Sequence, residues 1–515
     1  MVHLEELNGS IKFSFINDKG SISVVNLPIP ESERWQWKTT SDKSKATPGF
    51  LSQNGDMVYR DKKKSWIGNY RIMEILHNNP SIVAKHHIIF GNHQPKKWYM
   101  DIETELVDGL SIDEMLRDPN EGDINARSEV RSVAFCNDNK MYIYGLIPLT
   151  DEQKSSLENQ INNYFSDSNN YSGNHKPVNK KWEVSYVCFK DEYEMLKELM
   201  SVQIPSMPAL FGWNFWKFDF NYLIRRCKQR YKMHKVVTDM SPTKTSYILS
   251  LPNKYNKDVK DRVELPNHKI IVDYMTIFEK WDTSVKLKSS MSLDFISNEV
   301  LGIKKVAYSG TLNELYERDF VKFLFYNAVD TILVQLIDEK CATFNTMINL
   351  ANAGKVQIHD SMFVSTIIES LFSREFYNQT PRKVLVDERV ERKKEKYEGG
   401  YVLEPTPGIF DGVGIFDFQS MFPSNMMALN VGIDTFIGNT KDNGKTYVDK
   451  DGRTQIFDKE SMIYSASGTV FTKKYDSILR KSIGFLFGER VFAKHAGSSI
   501  DKEIAKLEKF KETLI

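Results

Sequence analysis

An apolar β-type run that breaks into acid, Trp98-Tyr99-Met100 followed by Asp101-Ile102-Glu103-Thr104, does most to limit what this chain can fold into. On a strand, side chains alternate with period two, so Asp101 and Glu103 point to one face and can serve one cation. A second β-type run, SVAFCN at 132–137, has a hairpin partner in MYIYGLIPL at 141–149. Helical spacing recurs at 190–201 and 220–233. Strands interleaved with helices in this way predict an α/β region.

A chain of 515 residues is too long for one hydrophobic core, so several domains are expected. Residues 1–97 mix short β-type runs (IKFSFI, SISVVNL) with turns and the Lys62, Lys63, Lys64 triplet, as a small mixed domain would. The polar stretch 154–181, rich in Asn and Ser, reads as an exposed loop or insertion, and 320–351 as one long helix. The charged run 387–398 reads as a connector. Beyond it come a strand running into Asp417, a proline turn at Pro423, hairpins around Asn443-Gly444 and Asp451-Gly452, and a Lys-rich helical C-terminal stretch.

Lys and Arg (69) nearly balance Asp and Glu (68), which excludes a bulk basic field and leaves any polyanion to local patches. Four scattered cysteines without a CxxC pair argue against zinc or a disulfide framework and fit a reducing compartment. No apolar run approaching a membrane span is expected, and so no membrane partner.

The chemistry lies in acidic residues at recurring positions. Asp101 and Glu103 are joined by Asp219 at the end of NFWKFD and by Asp330 in YNAVD, where Tyr326 lies four residues earlier and shares its helical face. Carboxylates that place cations, with a group to orient an attacking water, are the parts of a metal-assisted hydrolytic site. Downstream, FDFQSMFPS (416–424) sets Asp417 before an aromatic residue and a proline turn, an arrangement that can hold a divalent cation and seat a triphosphate on turn amides.

In these strings, taken in order, the chain resembles the family B DNA polymerases, and in GWNFWKFDFNYLIRR and SLDFISNEVLG their T-even-type bacteriophage branch. The resemblance implies a multidomain α/β (α+β) protein. Its parts would be an N-terminal domain at 1–97 joined by 343–390, a ribonuclease H-like 3′–5′ proofreading exonuclease at 98–342, a partial palm at 391–470 and the first part of the fingers at 471–515. It implies that Asp101, Glu103 and Asp330 hold Mg2+ or Mn2+, two ions per active site, and that Asp219 supports the second directly or through water. Tyr326 would position the nucleophilic water, and Asn214 the frayed strand, with Phe215, Trp216 and Phe218 as an aromatic cluster that either stacks on DNA or packs the core. YEGGYV places Gly399 and Gly400 where the backbone approaches the template. In the synthetic site Asp417 would be a catalytic metal ligand, with the Phe418 carbonyl as a further one. The amides from Ser420 through Met421 to Phe422 would meet a deoxynucleoside triphosphate, with the Phe422 ring, where the family usually has Tyr, as the gate against a 2′-hydroxyl. Arg490 and Lys494 in FGERVFAK, four apart on a helix, would grip the triphosphate. The basic set Arg225, Arg226, Lys228, Arg230 and Lys232 can track phosphates, with a solvated helix face as the default.

The family's motif B and motif C strings are not found, which leads to the expectation of a split polymerase. A second polypeptide would bring those motifs and the thumb, primer-template and single-stranded DNA would be the substrates, and a sliding clamp is a further candidate partner. The location would be the cytoplasm of an infected bacterial host. The competing readings are a stand-alone 3′–5′ single-strand exonuclease and a truncated fragment acting only as a DNA-binding module.

Overall fold

The computed structural model describes the chain apart from residues 8–9, 54, 63–68, 92, 106–125, 174, 253–259, 286–288, 304–305, 380, 387–401, 419 and 515. It is of the expected α/β, α+β class and divides into two compact units, Met1–Glu31 with Asn78–Ser370, and Ser32–His77 with Leu371–Ile515.

The first unit is built on a six-stranded mixed sheet in the order Glu183–Cys188, Lys140–Gly145, Val130–Asn137, Lys97–Thr104, Ala209–Gly212, Ile270–Asp273. The three strands from Lys97 to Gly145 form an antiparallel meander, closed by a tight turn in which Asp138 is left-handed at φ 51°. The last two strands run parallel to Lys97–Thr104, so the acid-bearing strand is internal, paired on one edge over Tyr99–Thr104 and on the other over Lys97–Tyr99. Helices must then cover the faces. The helix Phe320–Cys341 lies against Lys97–Thr104 and Val130–Asn137, and Asp151–Ser166 and Leu293–Leu301 pack on it in turn. A three-stranded antiparallel sheet, His3–Leu7, Ser10–Ile16 and Ile22–Pro28, also belongs to this unit.

Phe320–Cys341 corrects two expectations. It is long and apolar enough to cross a membrane, where no such run was expected, but 78% of its apolar window is buried inside the protein. Enclosure by sheet and helices accounts for its composition. It is also not continuous to 351, because Ala342 adopts φ 51° and the chain restarts as Thr343–Gly354. The polar stretch after Thr150 is likewise no loop at its start. Asp151–Ser166 is a helix with a reciprocal capping box between Thr150 and Gln153, and it buries Leu157, Ile161 and Phe165 at four-residue spacing.

The second unit holds a five-stranded antiparallel sheet from Phe436 to Thr472 and the helices Met421–Ala428 and Ile478–Leu514, which pack together. The expected hairpins are there, turning at left-handed Asn443-Gly444 and at Gly452. A small separate core of Trp35, Trp37, Val58, Val384 and Val386 joins the strand pairs Gln36–Thr39 with Val58–Asp61 and Phe50–Ser52 with Arg382–Val384.

Candidate active site

On Lys97–Thr104 the alternation places Asp101 opposite Ala134 and Glu103 opposite Ser132 in the neighbouring strand. Small partners leave room for the helix Phe320–Cys341 to lie close over this face. The helix brings Asp330 down to the two strand acids, and one carboxylate oxygen from each of Asp101, Glu103 and Asp330 lies within 4.8 Å of the others. Glu103 and Asp330 are only 9% and 5% exposed, and Asp101 is half-buried. Among the described residues this is the one group of three or more acidic, His or Cys side chains close enough to share a cation. An all-oxygen, all-carboxylate donor set from two buried residues and one half-buried one fits a hard divalent cation such as Mg2+ or Mn2+. Tyr326, one turn before Asp330, is buried with its ring edge-on to Tyr308 at 5.2 Å.

Hydrogen bonds fix the orientation of the strand acid. Asn327 donates from Nδ2 to Asp101 Oδ2 at 2.7 Å, while its Oδ1 accepts from the Ser132 hydroxyl at 2.9 Å. Sequence inspection passed over both Asn327 and Ser132.

Asp219 opens the helix Asp219–Tyr231, and its Oδ1 accepts from the Ile102 amide at 3.2 Å, tying that helix to the acid-bearing strand. Burial raises its pKa to about 7; nearby backbone amides oppose the shift, and Asp273 and Asp330 add to it. Asp219 is therefore next to the carboxylate cluster electrostatically without being one of the three that converge. The loop before it is tight. A Cβ on Gly212 would lie 2.2 Å from the Phe215 ring and 2.9 Å from the Met100 carbonyl, so glycine is required there. Asn214 is left-handed at φ 58°, and its carbonyl accepts from the amides of Lys217 and Phe218. Phe215 and Trp216 are core residues, with Trp216 Nε1 donating to the Ile271 carbonyl at 3.0 Å; only Phe218 of that cluster stays half-buried. Asp273 is a further strand-end acid that was missed, although IIVD repeats the apolar-run-then-acid signal of DIET. It is fully buried and caps Tyr274–Trp281 through the Thr276 amide.

The basic helix does not present one phosphate-tracking stripe. Arg226 is buried against Glu192, and Lys228 pairs with Glu264.

In the second unit the expected strand into Asp417 is not formed. Residues 413–418 have no regular structure; Asp417 is exposed, and Phe418 and Phe422 are 80% and 72% exposed. An isolated apolar strand is stable only when a partner pairs its backbone and covers its face, and the five-stranded sheet of this unit begins after this segment. Ser420, left-handed at φ 52°, immediately precedes the helix Met421–Ala428. Two predicted nucleotide-binding residues do meet here, for Arg490 Nη1 donates to Ser420 Oγ at 3.2 Å. Lys494 is exposed one turn further along the same helix. Gly399 and Gly400 lie outside the described residues.

Residues 146–295 match the DNA polymerase family B exonuclease domain, and residues 364–507 match DNA polymerase family B. The first match takes in Asn214 and Asp219, and the fold adds Asp101, Glu103, Tyr326 and Asp330 from either side. The second takes in Asp417, Phe422, Arg490 and Lys494. The DNA-directed DNA polymerase of Escherichia phage RB69 is 24% identical over 395 residues, which is 76% of this chain and 41% of that protein. The corresponding polymerase of Enterobacteria phage T4 is 23% identical over 312 residues, 60% of this chain and 33% of that protein. A DNA polymerase of Thermococcus hydrothermalis is 23% identical over 346 residues, covering 65% of this chain and 19% of that protein. The chain thus spans less than half the length of these curated relatives.

Proposed function

From a chain that belongs to the family B DNA polymerases and carries their exonuclease domain, we propose a 3′–5′ proofreading exonuclease centred on Asp101, Glu103 and Asp330, the convergence of whose carboxylates carries the reading. These three would hold Mg2+ or Mn2+, two ions in the site, with Asp219 supporting the second. Bound cations supply positive charge at the scissile phosphate and favour ionisation of the attacking water. Tyr326, held edge-on by Tyr308, orients that water through its hydroxyl. Asn214 and the half-buried Phe218 contact the frayed single strand, Phe218 by stacking on a base. Attack at the terminal phosphodiester breaks the bond to the 3′-oxygen of the preceding nucleotide and releases a nucleoside 5′-monophosphate.

For synthesis we assign this chain the motif A share of the site. Asp417 and the Phe418 carbonyl are metal ligands, Ser420, Met421 and Phe422 seat the deoxynucleoside triphosphate with Arg490 and Lys494, and Gly399 and Gly400 approach the template. The contact between Arg490 and Ser420 supports a shared triphosphate site. In the split arrangement a second polypeptide with motifs B and C and the thumb completes this site. Primer-template DNA is the substrate, a sliding clamp a further partner, and the cytoplasm of an infected bacterium the location.

The test is a 5′-labelled single strand incubated with the purified chain and Mg2+. Stepwise shortening from the 3′ end, lost in Asp101→Ala, is expected. An unshortened strand, or equal shortening by the variant, overturns the exonuclease reading. Primer extension by the chain alone would overturn the split arrangement.

A further inference from the structure

The amide of Asn327 occupies an unusual position. It is fully buried, it lies on the helix that delivers Asp330, and it bridges the acid-bearing strand to the strand beside it. Nδ2 donates to Asp101 Oδ2 at 2.7 Å, and Oδ1 accepts from Ser132 Oγ at 2.9 Å. A side-chain amide has two ends of opposite character, and only one orientation suits a carboxylate. The Asp101 carboxylate decides which, because its oxygen accepts from the NH2 group; the Ser132 hydroxyl, able to donate or accept, turns its proton to the amide oxygen left facing it and holds the amide there. With the amide reversed, its oxygen would confront the carboxylate, and a buried like-sign contact of that kind is costly. Ser132 is itself fully buried and stands directly opposite Glu103 in the sheet register. The helix backbone at this point is braced as well, since the Thr331 hydroxyl donates to the Asn327 carbonyl at 3.0 Å.

We propose that Asn327 is a positioning residue for Asp101 and that Ser132 steadies its amide, so that the Asp101 carboxylate is held in place for the cation. The inference rests on the exonuclease reading in which Asp101 is a metal ligand. A hydrogen bond from a neutral donor leaves the carboxylate ionised while restricting its rotation, which is the usual service of a group standing behind a metal ligand.

The test compares Asn327→Ala and Ser132→Ala with the parent full-length chain. Binding of Mn2+ to metal-free protein is measured by titration calorimetry, and melting temperatures in metal-free buffer report folding. Mn2+ affinity is expected to fall about 10- to 100-fold in Asn327→Ala and less in Ser132→Ala. The double variant should cost no more than Asn327→Ala alone, because the hydroxyl acts only through the amide. Nuclease activity should be regained by raising the metal concentration, which a collapsed site would not allow. Should Asn327→Ala fail to fold, Ser132→Ala, which removes one oxygen, carries the test. Unchanged Mn2+ affinity in the folded variants, alongside its loss in Asp101→Ala, overturns this inference and leaves the exonuclease reading standing. Mn2+ bound through Asp101 and weakened in the variants, with no 3′ degradation by the parent chain, does the reverse.

Discussion

Arg226 closes a two-pronged ion pair on Glu192, its Nε 2.9 Å from one carboxylate oxygen and its Nη2 2.7 Å from the other, with both side chains buried. Glu192 also accepts from the Val130 amide at 2.7 Å and from the Tyr231 hydroxyl, while Arg226 reaches the Ala126 carbonyl at 3.2 Å. The pair therefore pins the start of the strand that flanks the strand bearing Asp101 and Glu103. Replacing Arg226 with Leu would leave a buried carboxylate without its cation, and a loss of about 3–5 kcal/mol is expected. Urea unfolding measures it. Single-strand affinity of the folded variant should be unchanged; a loss of DNA affinity with normal stability would return Arg226 to the phosphate-tracking role that the basic spacing suggested.

The three clustered carboxylates repel one another until a cation joins them. Asp330→Asn removes one charge, so the metal-free variant should melt higher than the parent, and the rise in melting temperature that Mn2+ gives the parent should shrink or vanish. Nuclease activity should fall by more than about 100-fold, beyond the usual cost of a supporting residue. A variant that melts lower without metal would show that Asp330 acts in the fold more than in the site.

Trp216 and Phe218 sit two residues apart and should behave oppositely. Trp216 is fully buried with its indole N–H satisfied, so Trp216→Ala should cost about 3–5 kcal/mol of stability. Phe218 is half-buried, and Phe218→Ala should leave stability nearly intact while weakening single-strand binding by about 1–3 kcal/mol. Chemical denaturation and fluorescence anisotropy with a labelled oligonucleotide separate the two.

His3 is buried with Tyr247 stacked on it and His268 edge-on, both ring centroids at 5.0 Å. Burial pushes its pKa down to about 3, the His268 and His359 charges push the same way, and Glu5 opposes them. The unfolded chain binds this proton near pH 6.5 and the folded chain does not, so the stability is full above pH 6.5 and declines as pH falls towards 3. Between pH 7.5 and 5.5 about 1 kcal/mol should be lost at this residue. Glu5 contributes only at lower pH: burial would raise its pKa, but hydrogen bonds led by that from His268 hold it at about 2, so its stabilisation is lost from about pH 4.5 down to 2. Urea midpoints at the two upper pH values, with His3→Phe as comparison, test this; an equal slope in the variant would assign the loss elsewhere.

Much of the site was legible in the sequence because its signals are local. Period two puts Asp101 and Glu103 on one face, and a spacing of four puts Tyr326 and Asp330 on one face of a helix. The helix after Thr150 was read as a loop, because abundant Asn and Ser obscured its capping box and its Leu157, Ile161, Phe165 spacing. The strand into Asp417 failed for the opposite reason. Its apolar pattern is that of a strand, yet a strand forms only when a neighbour pairs with it, and pairing is not written in the segment itself.

The sequence by itself carried the motif strings, in their order, on which the resemblance to the family B DNA polymerases rests, and it determined which side chains share a face of a strand or helix, because that follows from backbone periodicity. Tertiary structure alone decided which faces meet. It set Asp330 over Asp101 and Glu103, turned Phe215 and Trp216 inward and left Phe218 part-exposed, gave Arg226 to Glu192, and placed the Asn327 amide between Asp101 and Ser132. Those partners come from separate stretches of the chain, and only the packing of helices on the sheet and on one another selects them.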